Sequence, residues 1–369
     1  MNWPIASLAD ATELLTDGTH YTPPDIGEGI PFLTVKDVGS NSLDFIGCSK
    51  IATDEYEAAR KQNSAPRFGD VLFSKDGTVG KVHLVQENRP FAVLSSLAIL
   101  RPSKHVDGGY LAHFLRTPST IDAATKKKTG SAIRRIVLRD LATLEIPLPP
   151  LDQQRRIAAI LDKADALRRK RRRTLDLLDS LTRSIFLEVF GDPVSNPKKL
   201  NKITLGDLIK VKSGNGLVAK DMAPGGLFPV YGGNGINGYH DRFMFDEPQL
   251  AIGRVGVYCG AVHLTKPKSW VTDNALYVSE YKKPVSQLYL RYALVETNLN
   301  QYAGRAAQPL ISGSRIYPIE IILPSKGDQT RFEKAIMQVS HLEIPYRADA
   351  ELVNAAFSSL QSRAFSGQL

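Results

Sequence analysis

One long stretch without glycine or proline, Asp152–Phe190, constrains the fold of this chain more than any other feature. Pro149-Pro150 precede the stretch and Gly191-Asp192-Pro193 follow it, and both are helix stop signals. Apolar or small residues recur inside it in alternating steps of three and four, which is a heptad seam. The pattern predicts one helix of roughly 55–60 Å, at about 1.5 Å per residue. The predicted seam consists of Ile157, Ile160, Ala164, Leu167, Arg171, Thr174, Leu178, Leu181 and Ile185.

A lone helix cannot bury such a seam, so a second long helix is expected beside it. The C-terminal stretch Asp328–Leu369 is the predicted partner, because it also opens with Asp-Gln and its Ser359–Phe365 echoes Ser180–Phe186. Pro345 interrupts the stretch and predicts a kink or a split there. Its seam includes Phe332, Ile336, Val339, Val353, Phe357, Leu360 and Ala364.

The blocks before the two helices repeat each other. Gly69–Leu84 reads as a hairpin of two apolar strands around a glycine turn, and Leu250–Leu264 matches it with one extra turn residue. Tyr289–Leu294 matches Tyr110–Leu115 in the same order, and the offset stays near 175–180 residues. The sequence therefore predicts a tandem duplication of a strand-rich domain and a helix. We place the domains at 1–150 and 193–325, with the second shorter, and the helices at 151–192 and 326–369.

Composition narrows the class of protein. A hydrophobic fraction of 43% and a charged fraction of 23% are typical of an ordinary folded protein. The net charge of +9 favours a polyanionic partner, either nucleic acid or a membrane surface. Cys48 and Cys259 form no CxxC motif, so we expect a reducing, cytoplasmic location without structural zinc. We expect no signal peptide and no membrane span, since no apolar run approaches about 20 residues.

No catalytic or metal constellation is evident. Gly233–Gly238 formally fits GxGxxG, but no helix start follows it, so a glycine turn is the preferred interpretation over a dinucleotide site. Gly77–Lys81 resembles the end of a phosphate-binding loop but lacks the first glycine. The histidines form no HExxH pair, and His83 and His263 fit strand patterns as core or hairpin residues. We therefore predict no catalytic residue, no metal ligand and no enzymatic activity.

The turns carry residues suited to DNA. Amide side chains can pair bidentately with adenine and arginine or lysine with guanine, while phosphates attract positive charge. A solvated hairpin tip is the competing interpretation for each, and the basic run Arg168–Arg173 is either a solvated helix face or a contact for DNA phosphates or an acidic subunit. The candidate DNA-binding residues are Lys75, Thr78 and Lys81, which crown the first hairpin, Arg254 and Tyr258 in its repeat, Tyr231, Asn234 and Asn237 in the glycine loop, and Arg134 and Arg135 in a basic loop.

These motifs resemble specificity (S) subunits of type I restriction-modification systems over essentially the whole chain. The resemblance rests on the junction Ile146–Ile157, the hairpin start Gly69–Leu72, the loop Tyr231–Gly235 and the segment Ile252–Gly256. It implies an α+β fold with two tandem target-recognition domains, whose long helices pack as an antiparallel coiled coil. The residues assigned to interhelix or subunit packing are Ile157, Ile160, Leu167, Leu178, Leu181, Ile185, Val353, Phe357 and Leu360.

The resemblance also implies a function. The chain would read a bipartite double-stranded DNA target and dock two adenine methyltransferase (M) subunits and restriction/translocase (R) subunits. It would bind no cofactor itself, because S-adenosylmethionine, ATP and Mg would lie on the partners. Two alternatives remain open: a stand-alone DNA-binding nuclease, and a scaffold that uses its basic helix at a membrane surface. The bases read and the spacer length depend on loop geometry.

Overall fold

The computed structural model describes residues 3–39, 42–126, 136–223, 225–304 and 309–369. Contacts divide the chain into two compact units. The first combines Met1–Arg172 with Ala348–Leu369, and the second is Arg173–Arg347. Each unit therefore holds one strand-rich domain and one segment of each long helix, so the division falls inside the helices rather than at their ends.

The strand-rich part of the first unit, the first domain, packs small sheets against short helices. Its elements are β1 (Ile5–Ser7), α1 (Leu8–Ala11), β2 (Thr12–Asp17), β3 (Ile30–Leu33), β4 (Ser49–Ile51), α2 (Thr53–Lys61), β5 (Val71–Ser74), β6 (Val82–Leu84), β7 (Ala92–Val93), β8 (Leu97–Pro102), α3 (Gly108–Leu115), α4 (Pro118–Lys126), α5 (Leu138–Ala142) and β9 (Glu145–Pro147). The long helix α6 (Leu151–Phe190) follows.

The second domain repeats this plan in the second unit. Its elements are β10 (Lys202–Thr204), α7 (Leu205–Leu208), β11 (Ile209–Ser213), β12 (Phe228–Gly232), β13 (Gly235–His240), β14 (Leu250–Gly253), β15 (Val262–Leu264), β16 (Trp270–Val271), β17 (Ala275–Tyr281), α8 (Gln287–Glu296), α9 (Gly313–Ile316) and β18 (Glu320–Ile322). The long helix α10 (Lys326–Phe365) follows.

The two domains share one sheet topology. The four-stranded sheet has the order β2-β8-β5-β6 in the first domain and β11-β17-β14-β15 in the second. The three-stranded sheets have the orders β4-β3-β7 and β13-β12-β16, each with one parallel pair. A two-stranded ladder, β1-β9 or β10-β18, joins the start of each domain to the strand before its long helix. The predicted duplication is therefore present in the structure.

Both predicted hairpins are confirmed, and their registers are equivalent. Val71 pairs with Leu84 in the first domain, and Leu250 pairs with Leu264 in the second. The turn of the second hairpin contains the one extra residue that the sequence indicates. Strands ahead of the hairpins follow a larger offset, 196 residues from Gly18 to Gly214, because the first domain carries extra residues that include α2.

Helix α10 runs without interruption from Lys326 to Phe365 with Pro345 inside it. Of the two outcomes predicted at Pro345, the split is therefore wrong, and the kink stays a prediction. Proline removes a single backbone donor from the ladder, and the flanking turns supply enough hydrogen bonds to continue the helix. Pro345 is exposed, so its ring meets solvent rather than a packed neighbour.

The long helices pack antiparallel within each unit. In the first unit Arg168 lies over the ring of Phe357 at 4.5 Å, and Arg171 pairs with Asp349 at 3.3 Å. Partner numbers fall as α6 numbers rise, which defines the antiparallel direction. The guanidinium of Arg168 rests on an aromatic face, and Arg171, the basic position of the predicted seam, pairs with a carboxylate of the other helix, which explains how a basic segment can lie along this contact.

In the second unit the end of α6 meets the start of α10. Phe186 and Phe190 pack edge-on against Phe332, with ring centroids 5.7 and 5.3 Å apart. Phe186 also stacks on Tyr289 of α8, and Phe365 of α10 contacts Tyr110 of α3 in the first unit. Each domain thus contacts the beginning of the helix that follows it and the end of the other helix, which accounts for the sequence echo between the two helix ends.

The buried face of α6 differs from the predicted seam at two positions. Leu167 and Leu181 are 45% and 44% exposed, whereas Leu161 and Phe186 are buried. A strict heptad drifts relative to a straight helix of 3.6 residues per turn, and the domains recruit neighbouring positions at each end. Interhelix packing therefore does not account for Leu167 and Leu181; contact with another subunit stays a prediction for them. Of the other positions, Ile157 and Phe357 are buried and Ile160, Leu178, Ile185, Val353 and Leu360 are half-buried.

Candidate nucleic-acid interface

The glycine loop of the second domain is a tight hairpin. Gly232 pairs with Gly235 across β12 and β13, which leaves Gly233-Asn234 as a two-residue turn. Gly235 has φ +91°, a conformation that favours glycine. The glycine-turn interpretation is confirmed. The turn presents Asn234 to solvent, and Asn237 is exposed where the strand register shifts.

Tyr231 lies inside the domain rather than at its surface. Its ring is only 6% exposed and packs with Ala251, Val271 and Ala275. Its hydroxyl oxygen accepts a hydrogen bond from the backbone N–H of Lys266 at 3.1 Å. Its place in a surface loop is corrected accordingly: as a strand residue facing the core, it supports the hairpin.

Arg254 directly follows β14, and its guanidinium group is hydrogen-bonded through one nitrogen, Nη1. Its Nη1 donates to Ser213 Oγ at 3.2 Å and lies 3.4 Å from the carbonyl oxygen of Asp273. No ion pair joins Arg254 to a carboxylate among the residues that the structure describes. The guanidinium therefore keeps its positive charge and most of its N–H donors for a ligand. Tyr258, in the short 3-10 helix Gly256–Tyr258, is 52% exposed nearby.

Close backbone packing brings these residues to one face. A Cβ added at Gly253 would lie 2.3 Å from the carbonyl oxygen of Tyr258 and 2.7 Å from that of Gly233. Only glycine fits at this position, and the fit places the turn of Asn234 beside the segment that carries Arg254. We call Asn234, Arg254 and Tyr258 the second-domain face.

Lys75 occupies the place of Arg254 in the first domain. The backbone N–H of Lys75 donates to the carbonyl oxygen of Ser96 at 2.9 Å, and that of Arg254 donates to the carbonyl oxygen of Asn274 at the same distance. The carbonyl oxygens of Lys75 and Arg254 accept from Ile136 and Ile311, again at 2.9 Å. The two residues are therefore equivalent in backbone position, directly after the first strand of each hairpin.

The side chains at this position differ in their surroundings. Lys75 is only 2% exposed, and its Nζ lies 3.0 Å from Asp17 Oδ2. Asp17 ends β2, whereas Ser213 ends the equivalent strand β11 and bonds Arg254. The expectation that Lys75 crowns an exposed hairpin is wrong, because a buried carboxylate draws its ammonium group inward.

The other first-domain candidates also differ in whether their side chains are engaged within the domain or exposed to solvent. The Lys81 ammonium donates to the carbonyl oxygens of Val35 at 2.9 Å and Val38 at 2.6 Å, so it ties the hairpin to a neighbouring turn. Thr78 is exposed at the hairpin turn. Arg134 and Arg135 lie outside the described residues.

Asp17 and Ser213 contact two of the candidate residues, and the sequence analysis did not single them out. Each precedes a glycine at which no side chain fits. A Cβ added at Gly18 would lie 2.0 Å from the carbonyl oxygen of Val93, and a Cβ added at Gly214 would lie 2.2 Å from that of Val271. The pairs Asp17-Gly18 and Ser213-Gly214 were visible in the sequence. The two pairs align with each other only at the offset of 196 residues that applies to the strands before the hairpins, not at the offset of 175–180 residues found in the sequence analysis.

Neither histidine of the hairpins shows ligand geometry. His83 and His263 lie in β6 and β15, and burial lowers the pKa of each imidazole. Among the described residues, no group of three or more His, Cys, Asp or Glu side chains could hold a metal ion. None of the described helices combines the length and apolar character needed to cross a membrane.

Comparison with known proteins places these features in a family. The model of the type I restriction modification DNA specificity domain matches residues 8–176 and 197–344. The specificity subunit of the EcoprrI type I restriction enzyme of Escherichia coli is 28% identical over 218 residues, covering 54% of this chain and 53% of that subunit. The chain thus spans about half the length of that relative. The putative MjaX specificity subunit of Methanocaldococcus jannaschii is 22% identical over 406 aligned positions, covering 100% and 94% of the two chains.

A solved structure shares the fold over the whole chain. The S subunit of a type I restriction-modification system from M. genitalium superposes with a TM-score of 0.61 at 17% identity, covering 99% of this chain and 96% of that one. The two matched segments of the family model correspond to the two repeats of domain and helix. The chain belongs to the family of type I restriction-modification DNA specificity subunits.

Proposed function

We propose that this chain is the non-catalytic reader of a type I restriction-modification complex, and that its two domains read the two halves of a bipartite DNA target. One observation carries the proposal: the domains share a backbone scaffold and differ in side-chain chemistry at an equivalent position. Lys75 is neutralised by Asp17, whereas Arg254 faces Ser213. A duplicated scaffold with unlike surfaces suits two unlike half-sites.

The second-domain face supplies the groups that base reading needs. Arginine pairs bidentately with the O6 and N7 atoms of guanine, and asparagine with N6 and N7 of adenine. Arg254 is anchored through Nη1, so its remaining N–H groups supply that pairing at little loss of side-chain entropy. Tyr258 offers a ring and a hydroxyl for sugar or phosphate contact.

The long helices supply surfaces for partner subunits. Apolar side chains that recur along the exposed side of a long helix provide anchors for a partner helix. We propose that M subunits bind there, that R subunits join the resulting complex, and that those partners, rather than this chain, bind S-adenosylmethionine, ATP and Mg. The large apolar residues exposed on the helices are Leu167 and Leu352 in the first unit, and Leu177, Leu181, Leu187, Met337, Leu342 and Ile344 in the second.

Several members of the basic run Arg168–Arg173 are engaged within the helices. Arg168 and Arg169 both pair with Asp165, and Arg171 pairs with Asp349. These pairs favour the interpretation of a helix face stabilised by internal charge pairs over a DNA-phosphate track. The run therefore contributes little to the case for a membrane-surface scaffold.

A selection experiment tests the proposal. The chain, with its M subunit, is used to capture duplexes from a random library, and the recovered sequences are compared for wild type, Arg254→Gln and Lys334→Gln. We expect two short half-sites at a fixed gap, a changed preference in one half-site for Arg254→Gln, and no change for Lys334→Gln, which removes a charge from the exposed face of α10. A single continuous site, or loss of both halves in Arg254→Gln, would refute two independent readers.

The chain alone provides a second test. Binding to duplex DNA should be weak and should fall steeply with salt, because phosphate neutralisation releases counterions. Incubation of the chain alone with DNA and magnesium should leave the DNA intact. Cleavage under these conditions would favour the nuclease alternative, and preference for anionic vesicles over duplex would favour the scaffold.

A further inference from the structure

We infer that Gln154 and Gln329 are positioning residues that fix the direction in which each long helix leaves its domain. Both lie in the first turn of a long helix, and both are buried, with exposures of 1% and 6%. A buried amide is unfavourable unless its donors and acceptor are bonded. The partners of these two amides therefore show what the glutamines hold together.

The partners are the same in both domains. Gln154 Oε1 accepts from the backbone N–H of Asp107 at 2.9 Å, and its Nε2 donates to the carbonyl oxygen of Pro149 at 2.8 Å. Gln329 Oε1 accepts from the N–H of Ser286 at 2.8 Å, and its Nε2 donates to the carbonyl oxygen of Pro324 at 2.9 Å. In the first domain the second Nε2 hydrogen also donates, to His105 O at 2.9 Å.

Asp107 and Ser286 are themselves helix caps. The Asp107 carboxylate accepts from the N–H of Tyr110 at 2.9 Å, and the Ser286 hydroxyl accepts from the N–H of Tyr289 at 3.1 Å. Each glutamine therefore reaches from the long helix to the N-cap of α3 or α8. An N-cap has a fixed backbone conformation, so the bond constrains angle as well as distance.

A buried tyrosine completes each joint. The Tyr110 hydroxyl donates to Pro147 O at 2.7 Å, and the Tyr289 hydroxyl donates to Ile322 O at 2.6 Å. Those carbonyls end β9 and β18, the strands that lead into the long helices. Burial raises the pKa of both phenols, so they remain donors. The same two side chains thus tie the short helix, the closing strand and the long helix in both domains.

This constancy contrasts with the hairpin position that Lys75 and Arg254 share, where the two side chains have unlike neighbours. If the proposed function is right, the joints determine the length of the gap between the half-sites, whereas the hairpin turns determine which bases each domain prefers. Loosening a joint should then widen the range of accepted gap lengths and leave each half-site sequence unchanged. This consequence rests on the bipartite reading proposed above.

The test compares Gln154→Met with Gln153→Met, which alters the exposed neighbouring glutamine on the same turn. For the second joint it compares Gln329→Met with Gln338→Met, an exposed position on α10. Hydrogen exchange is followed at the amides of Asp107 and Ser286, and selected DNA is sorted by gap length. Leaving a buried donor unsatisfied should speed exchange by about tenfold or more at the affected amide.

We expect faster exchange and a broader gap distribution in the two buried variants, and wild-type behaviour in the two exposed ones. Unchanged exchange, or unchanged gap lengths despite faster exchange, would overturn the inference, as would a changed half-site sequence. If Gln154→Met fails to fold, Gln329→Met carries the test, because the Gln329 amide donates to a single carbonyl oxygen and its loss leaves fewer buried groups unsatisfied. If wild type selects no bipartite target, the proposed function fails, and exchange alone decides whether the glutamine holds the domain to its helix.

Discussion

A single neighbour decides whether a cation at the end of the hairpin strand stays inside the protein or faces outward. Lys75 has Asp17 beside it and is buried, whereas Arg254 has Ser213 and remains without a carboxylate partner among the described residues. Lysine is a flexible point charge that a carboxylate can draw inward, while the planar guanidinium keeps donors on two edges. The residue type and its neighbour therefore act together.

Ser213→Asp should reproduce the first-domain arrangement in the second domain. The new carboxylate would pair with Arg254 and withdraw it from guanine, where a bidentate contact is worth about 1–3 kcal/mol of discrimination. We expect preference at one half-site to weaken by roughly tenfold, measured by competition between matched duplexes. Ser279→Asp adds the same charge at another exposed position of the sheet and should have a smaller effect. Equal effects of the two variants would count against a role for Arg254.

Lys75→Met should destabilise the first domain by about 3–5 kcal/mol, because it leaves the buried carboxylate of Asp17 without its partner. Denaturant unfolding gives the free energy. The double variant with Asp17→Asn removes both charges and should recover part of the loss. A double variant that is less stable than Lys75→Met would show that the ion pair is not the reason for the burial of Lys75.

Stability should also depend on pH through the buried histidines. Burial lowers the pKa of His83 and His113 below the ordinary value of 6.5, so the unfolded chain binds protons more readily than the folded protein. The contribution of these histidines to the free energy of unfolding should be complete above pH 6.5, and the free energy should decrease as the pH falls below that value. Replacing His113 with Asn should flatten the decline, measured by unfolding between pH 7 and pH 5, and an unchanged slope would contradict this assignment.

Among the secondary-structure elements, those with strong local patterns were predictable from the sequence. Helix α6 and the hairpin β5–β6 follow from periodicity and from the stop signals around them. The glycine turn was predictable, but the flanking residues Tyr231 and Asn237 lie in strands rather than in a loop, because Gly232 and Gly235 pair across β12 and β13. The burial of Lys75 depends on Asp17, which is distant in sequence. Side-chain direction of this kind follows from tertiary packing, which no local pattern encodes.

Pro345→Ala tests how α10 tolerates an interior proline. Proline in a helix interior is unfavourable by about 3 kcal/mol relative to alanine, and Pro345 is exposed, so no packing compensates visibly. We expect the variant to stabilise the protein by at least about 1 kcal/mol in thermal or denaturant unfolding. Ile344→Ala, at an exposed neighbour, should change stability little. Loss of stability in Pro345→Ala would mean that the helix relies on the proline geometry.

At the level of the whole molecule, the proposed function assigns the spacing of half-sites to the long helices. Deleting one heptad from each, residues 173–179 and 343–349, shortens the helices by about 10 Å. The preferred gap should then change by about three base pairs while both half-site sequences persist. Selection from a library of variable gaps measures this. An unchanged gap would remove the spacing role, and a deletion in only one helix serves as the control for mismatched packing.

The division of the chain into units also bears on how it is made. The second unit is one continuous stretch, Arg173–Arg347, whereas the first unit needs Ala348–Leu369, which leave the ribosome later than that stretch. Phe365 from that late segment covers Tyr110 and Phe114 of α3. The first domain is thus translated before the second unit but completed after it. Premature termination near residue 348 would leave the α3 surface of the first domain uncovered, whereas the second unit would still have all of its residues.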